Sequence, residues 1–152
     1  MKTYIHNILL ASFAVTLLFS SCKSTKEAVV LSEEEKTIFN QEEGSAHTIE
    51  GDVTEYEITI IDTGFYTWLK SIAKPEGYYS QSFMETRNAI YVTEWNSRVV
   101  QPLRYDSNLY ELQISYDSFT NYGYDVNYQL YNYFIYFQRK YEQRLGLFVP
   151  RI

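Results

Sequence analysis

A lone cysteine closes the first apolar stretch of this chain and bounds what the rest can be. Ile8 to Phe19 form an almost unbroken run of apolar and small residues behind Lys2, and Ser20-Ser21-Cys22 end it. A run of about a dozen residues is too short to cross a bilayer, which takes about 20 residues of helix. It has the length of a signal-peptide core. One cysteine in 152 residues also excludes an intrachain disulfide. The fold must therefore be held by packing, hydrogen bonds and ion pairs alone.

Cys22 stands where a bacterial lipoprotein carries its acylated cysteine, so residues 1–21 read as a lipoprotein signal peptide and Cys22 as the lipidation site. Phe19 occupies the place three residues earlier where leucine is usual, a loose match; the alternative is an ordinary signal peptide that ends near a cysteine. Several acyl chains, at roughly 0.8 kcal/mol per buried CH₂, would hold the chain on a membrane far more firmly than one. Lys23 follows, not the aspartate of an inner-membrane retention signal. Outer-membrane attachment is the expectation, with the periplasmic face favoured over the cell surface.

Charge divides the remainder. Residues 23–57 hold ten acidic side chains against three lysines, whereas residues 58–152 hold nine of each sign. The net charge of −6 thus belongs almost wholly to the leader. Its clusters, Glu33-Glu34-Glu35, Glu42-Glu43 and Glu50-Gly51-Asp52, repel one another among few apolar residues. We read residues 22–52 as the acylated cysteine and an acidic flexible tether, reaching roughly 30 Å as a coil of about 30 residues. Ser32 with Glu35 matches a capping box, so a short helix within the tether is compatible with the pattern, and Ile38-Phe39 could dock it. The body has no basic patch to neutralise phosphates, which disfavours nucleic acid.

Residues 53–152 are enough for one small domain. Residues 58–152 alone carry 14 of the 16 tyrosines. Alternation at Tyr56–Ile60 predicts a strand with one buried face. Asp62 or Thr63 is placed to cap a helix through Phe65, Trp68, Leu69 and Ile72, which Pro75 follows. Ser82 with Glu85 is a second capping-box match, opening a segment that runs to Pro102, with Met84, Asn88, Val92, Trp95 and Val99 on one helical stripe. The β-formers in Ala89–Thr93 make a strand there the alternative. Tyr110–Tyr116 alternates cleanly and predicts a second strand. From Asp125, Val126, Leu130, Tyr133, Phe134, Phe137, Tyr141 and Leu145 keep helical spacing until Gly146, and a short strand over Leu147–Val149 is a further option. This last helix is apolar nearly all round, which places it centrally or leaves a tyrosine face for a partner. The expected fold is a small α+β domain in the order β-α-α-β-α, with a long aromatic-rich C-terminal helix.

Catalytic constellations are sparse. His47 is the one histidine after the signal, in the tether, whereas imidazole-based catalysis needs a positioned ring. No His–Cys cluster, glycine-rich phosphate loop, metal site or cofactor is expected. Glu85 and Glu94 are nine residues apart on one helix, so they face opposite ways and cannot flank one bond. Glu94 paired with Asp106 or Asp117 through tertiary contact would be a carboxylate-dependent hydrolase, the least favoured reading. The more suggestive group is Arg87, Tyr91, Glu94, Arg98 and Gln101, which share a stripe beside the core stripe, with Tyr78, Tyr79, Arg104 and Tyr105 flanking it. It is either a solvated ion-pair face or a recognition strip, since arginine forks and flat rings suit sugars, carboxylates or a peptide edge. Asn88 interrupts the apolar stripe and either bonds across the core or lines a pocket.

Phe65-x-x-Trp68-Leu69, Gly77-Tyr78-Tyr79-Ser80-Gln81-Ser82, Glu85-x-Arg87-Asn88, Glu94-Trp95-Asn96-x-Arg98-Val99 and Gln101-Pro102 carry a resemblance. Tyr122-Gly123-Tyr124-x-Val126-Asn127-Tyr128-x-Leu130-Tyr131 and Tyr133-Phe134-x-Tyr136-Phe137 continue it. Residues 56–145 resemble a family of small envelope lipoproteins of Gram-negative bacteria, catalogued as a domain of unknown function. The resemblance implies an envelope lipoprotein and no activity. The expected function is a non-enzymatic binding or assembly module held on the membrane by Cys22, with an envelope protein as partner. A binder of peptidoglycan or a surface glycan is the alternative.

Overall fold

The structure, a computed structural model, describes residues 29–40, 47–50, 56–62 and 64–152. Its elements are α1 (Glu33–Phe39), β1 (His47–Glu50), β2 (Glu57–Ile60), α2 (Phe65–Ser71), α3 (Gln81–Val99) and α4 (Gly123–Lys140). The domain is a small α+β unit built around its aromatic-rich last helix.

α4 is central because nearly every side of it is apolar. Its buried residues run around the whole circumference, from Val126 through Tyr128, Tyr131 and Phe134 to Arg139. α3 lies along it and contributes Met84, Tyr91, Val92 and Trp95 to the shared core. Trp95 meets Phe137 edge-on at 4.7 Å between ring centroids, and Phe65 and Trp68 of α2 meet Tyr136 at 5.5 and 5.7 Å. Each such pair contributes about 0.5–1.5 kcal/mol beyond the area it buries. Asn88, inside the apolar stripe, donates from Nδ2 to the Asn127 carbonyl at 3.1 Å, the bond across the core that its position suggested.

The leader is where expectation and structure part. Residues 29–40 are not a solvated tether. The Ser32–Glu35 capping box forms, with Ser32 Oγ accepting from Glu35 N at 3.1 Å and Glu35 Oε2 accepting from Ser32 N at 3.0 Å. α1 then carries Glu35 into the core, where its side chain is 0% exposed. Glu35 Oε1 accepts from Arg139 Nε at 2.5 Å and Trp68 Nε1 at 3.1 Å, and Oε2 accepts from Arg139 Nη2 at 2.6 Å. Arg139 also donates to the carbonyls of Val30 and Pro150. Charge counting read Glu33-Glu34-Glu35 as one repelling cluster, whereas a single buried arginine singles out the third. Gly64 makes room for α1: with φ at +85°, a Cβ there would sit 3.3 Å from the Ile38 carbonyl oxygen. His47–Glu50, also assigned to the tether, pairs antiparallel with β2 in the register His47↔Ile60 to Glu50↔Glu57. The predicted strand over Tyr56–Ile60 is β2 itself.

Tyr110–Tyr116 is not a strand. The segment bends at Tyr110 and Leu112, and its partners are side chains of α3. Asn96 Oδ1 accepts from Ile114 N at 2.8 Å and Asn96 Nδ2 donates to Ile114 O at 2.9 Å, so one amide copies the paired bonds of a β-ladder. Trp95 Nε1 donates to Leu112 O at 2.9 Å. Residues 147–149 form no strand either. α3 is capped by Ser80, two residues before the expected Ser82, and Ala89–Thr93 is helical. α2 begins after Gly64 with no side-chain cap, because the Asp62 carboxylate accepts instead from Lys140, Tyr136 and Tyr141. α4 stops at Lys140, short of Leu145, because Glu142 turns into positive φ and Gln138 Oε1 takes the Leu145 N–H at 2.7 Å.

Two outcomes follow from these contacts. Burial alone would raise the Glu35 pKa, but the bonds from Arg139, Ser32 and Trp68 outweigh it and hold the carboxyl below its usual 4.5. Its stabilisation is therefore complete above that value and is lost as pH falls below it through the folded-state pKa. Glu35→Ala leaves Arg139 buried without a counter-charge and should cost about 3–5 kcal/mol in urea unfolding, whereas Glu33→Ala, which removes an exposed pair, should cost less than about 1. Asn96→Ala should cost about 1–2 kcal/mol, with hydrogen exchange at the Ile114 amide accelerated in step.

Candidate functional site

The polar stripe on α3 separates into two halves. At the C-terminal end Arg98 is turned inward. Its Nε and Nη2 donate to Glu94 Oε1 at 2.9 and 2.7 Å, its Nη1 donates to Tyr110 Oη at 2.7 Å, and its Nη2 donates to the Arg144 carbonyl. The guanidinium lies 4.8 Å from the Tyr105 ring centroid. Burial would lower the Arg98 pKa, but Glu94 and Tyr110 together raise it. Arg98 thus braces the end of α3 to the turn before Tyr110 and to the chain beyond α4. Gln101 bonds back to the Ser97 carbonyl at 2.7 Å, and Arg104 is exposed with its guanidinium 5.3 Å from the Tyr105 ring centroid.

At the N-terminal end Arg87 faces a cavity of about 480 Å³. Its guanidinium carbon lies 3.2 Å from the Phe148 ring centroid and 5.2 Å from that of Phe83. Arg87 Nη1 is buried with no hydrogen-bond partner. Tyr79 stacks on Phe83 at 4.9 Å and meets Tyr131 edge-on at 5.2 Å, so three rings form one wall. Tyr91 lines the same space; burial pushes its phenol pKa up and Arg87 opposes the rise. Tyr78 is exposed and meets Tyr79 edge-on at 4.7 Å. Arg144, Phe148 and Arg151, which also line the cavity, were absent from the sequence-based stripe. Phe83 stands four residues before Arg87 and could have been found from helical spacing. The others arrive on the chain after α4, with no local signal.

A second feature has no counterpart in the sequence reading. Between β2 and residues 108–114 lies a cavity of about 450 Å³ whose floor is Leu130, Tyr133 and Phe137 of α4. A further cavity of about 240 Å³ shares Ile58, Ile114 and Leu130 with it and extends it towards Tyr56 and Tyr122. Together they make a groove between β2 and residues 108–116. Ile61 and Leu112, which also line it, are 72% and 76% exposed. Leu112 O and both backbone groups of Ile114 bond to α3, whereas the backbone groups of Glu111, Gln113 and Ser115 bond to no described residue. β2 pairs with β1 along one edge only among the described residues.

The acids weighed for catalysis are engaged separately. Glu85 accepts from Gln81 and Glu94 from Arg98, while Asp106 and Asp117 accept backbone N–H groups in their own turns. Asp62 and Glu111 both line the groove, but Asp62 is committed to Lys140 at 2.8 Å and Tyr141 at 3.0 Å. Among the described residues no group of three or more His, Cys, Asp or Glu side chains could hold a metal ion, and no helix is long and apolar enough to cross a membrane. Cys22 lies outside the described residues.

A search of curated proteins and of solved structures gives no match. A model described as a family of unknown function (DUF6146) matches residues 8–149, a span that takes in the leader, both halves of the stripe and the groove. The chain belongs to that family.

Proposed function

We propose that the protein is a non-enzymatic binding or assembly module of the bacterial cell envelope, anchored on the periplasmic face of the outer membrane through acylated Cys22. The groove between β2 and residues 108–116 is the surface it offers to a partner protein. One observation carries this reading: β2 and an irregular segment flank an apolar floor, and that segment is pinned from behind by Trp95 and Asn96. An extended peptide laid there gains main-chain bonds from the free edge at Glu111, Gln113 and Ser115, and apolar contacts from Leu130, Tyr133 and Phe137. The N-terminal run ending at Cys22 supports the anchor.

The test is a crosslinked pull-down of full-length protein from its native envelope. One protein should be recovered near stoichiometry with the unaltered chain and lost with Cys22→Ser. Gln113→Pro removes one N–H that bonds to no described residue and leaves the Ile114 groups that meet Asn96 unaltered. It should abolish recovery while circular dichroism stays native, and Arg104→Ala, at an exposed side chain outside the groove, should leave recovery unchanged. Full recovery by Gln113→Pro would remove the groove from the reading. Recovery of no protein at all would remove the assembly role.

A further inference from the structure

The Arg87 cavity differs from the groove in charge. Arg87, Arg144 and Arg151 line it, and among the described residues no carboxylate does. The other cations of α3 and α4 meet an acid at contact distance: Arg98 meets Glu94 at 2.7 Å, Arg139 meets Glu35 at 2.5 Å, and Lys140 meets Asp62 at 2.8 Å. Arg87 is the exception. Its charge rests on the faces of Phe83 and Phe148, and its buried Nη1 has no acceptor. A buried donor left unsatisfied costs about 1–3 kcal/mol, and more when it is charged. Such a group at the wall of a cavity is short of an acceptor that the chain itself does not supply.

The local geometry defines that acceptor. Stacking on Phe148 occupies the face of the guanidinium and leaves its in-plane N–H groups, which fit the two oxygens of a carboxylate or phosphate. Arg144 is exposed and bonds the Leu147 carbonyl with Nη2 at 2.8 Å, which leaves its remaining N–H groups for a ligand. The wall of Tyr79, Phe83 and Tyr131 presents ring faces and edges, against which a sugar or an aromatic ring packs. Burial pushes the Tyr131 phenol well above its ordinary pKa, so it adds no negative charge that would oppose an anion. The volume of about 480 Å³ lies within the range of small-molecule sites.

We propose that this cavity binds a small organic anion, a carboxylate or phosphate carried on a ring of monosaccharide or aromatic size. Arg87 holds the charged group, Arg144 closes on it from the rim, and the tyrosine–phenylalanine wall takes the ring. The site is separate from the groove and does not depend on a protein partner.

Isothermal titration of the full chain in detergent tests it, with glucuronate, benzoate and phenyl phosphate as probes and glucose as the uncharged counterpart of the first. At least one anion should bind saturably, more weakly as salt rises, and glucose should not bind. Arg87→Ala should weaken binding at least about tenfold, equivalent to about 1.4 kcal/mol. Arg144→Gln alters an exposed side chain, so it should weaken binding without disturbing the fold even if Arg87→Ala unfolds the domain. Absence of saturable binding by all three anions would overturn the proposal. So would binding that glucose matches, or binding that Arg144→Gln and a natively folded Arg87→Ala both leave unchanged.

Discussion

The ion pair between Glu35 and Arg139 is the interaction on which the other parts of the domain converge. Removing two charges from water is costly, and their attraction offsets that cost only when geometry is close and the remaining lone pairs are filled. Here both carboxylate oxygens are filled twice, by Arg139, Trp68 and the Ser32 N–H. The remaining guanidinium groups reach the carbonyls of Val30 and Pro150. One buried pair thus joins the segment before α1, α1 itself, α2, α4 and the C-terminal tail. A hydrophobic contact could fill the same volume, but it would not specify which of three consecutive glutamates enters the core.

Tyrosines perform a related task on the other sides of α4. Each ring packs against the core while its hydroxyl ties α4 to a loop. Tyr124 Oη accepts from Gly77 N at 2.6 Å, Tyr128 donates to the Lys74 carbonyl at 2.8 Å, and Tyr116 donates to Asn127 at 2.8 Å. Asp62 collects Tyr136, Lys140 and Tyr141. A domain with few strands leaves many loop backbone groups without a ladder partner, and buried groups of that kind need one. Side-chain amides and phenols supply it, which is why the region from Gln101 to Tyr122 holds its course without regular secondary structure. It is also why an irregular segment is held in place at one wall of the groove.

The same substitution of side chains for strands explains the main misreading. Alternation at Tyr110–Tyr116 reports a chain with one side turned inward, and that is true of Tyr110, Ile114 and Tyr116 but not of Leu112, which the bend there leaves exposed. Period two cannot tell whether the backbone partner is another strand or the amide of Asn96. The candidate stripe on α3 was legible as a face of a helix. That Arg98 turns into the domain while Arg87 opens on a cavity was not, because Tyr110, Arg144 and Phe148 lie 12 to 61 positions away and meet the stripe only after folding.

By itself the sequence determined what depends on neighbours a few residues apart. The helices α3 and α4, the central place of an all-round apolar helix, the capping box at Ser32 and the charge imbalance of the leader all rest on local spacing. The small α+β class follows from the same local patterns. Tertiary structure alone decided what depends on distant partners. It drew an acidic leader segment into the core, gave Asp62 to Lys140 and two tyrosines in place of a helix cap, and left Arg87 without an acid. The physical reason is that a charge or an amide has no fixed role until its surroundings set the cost of leaving it unpaired.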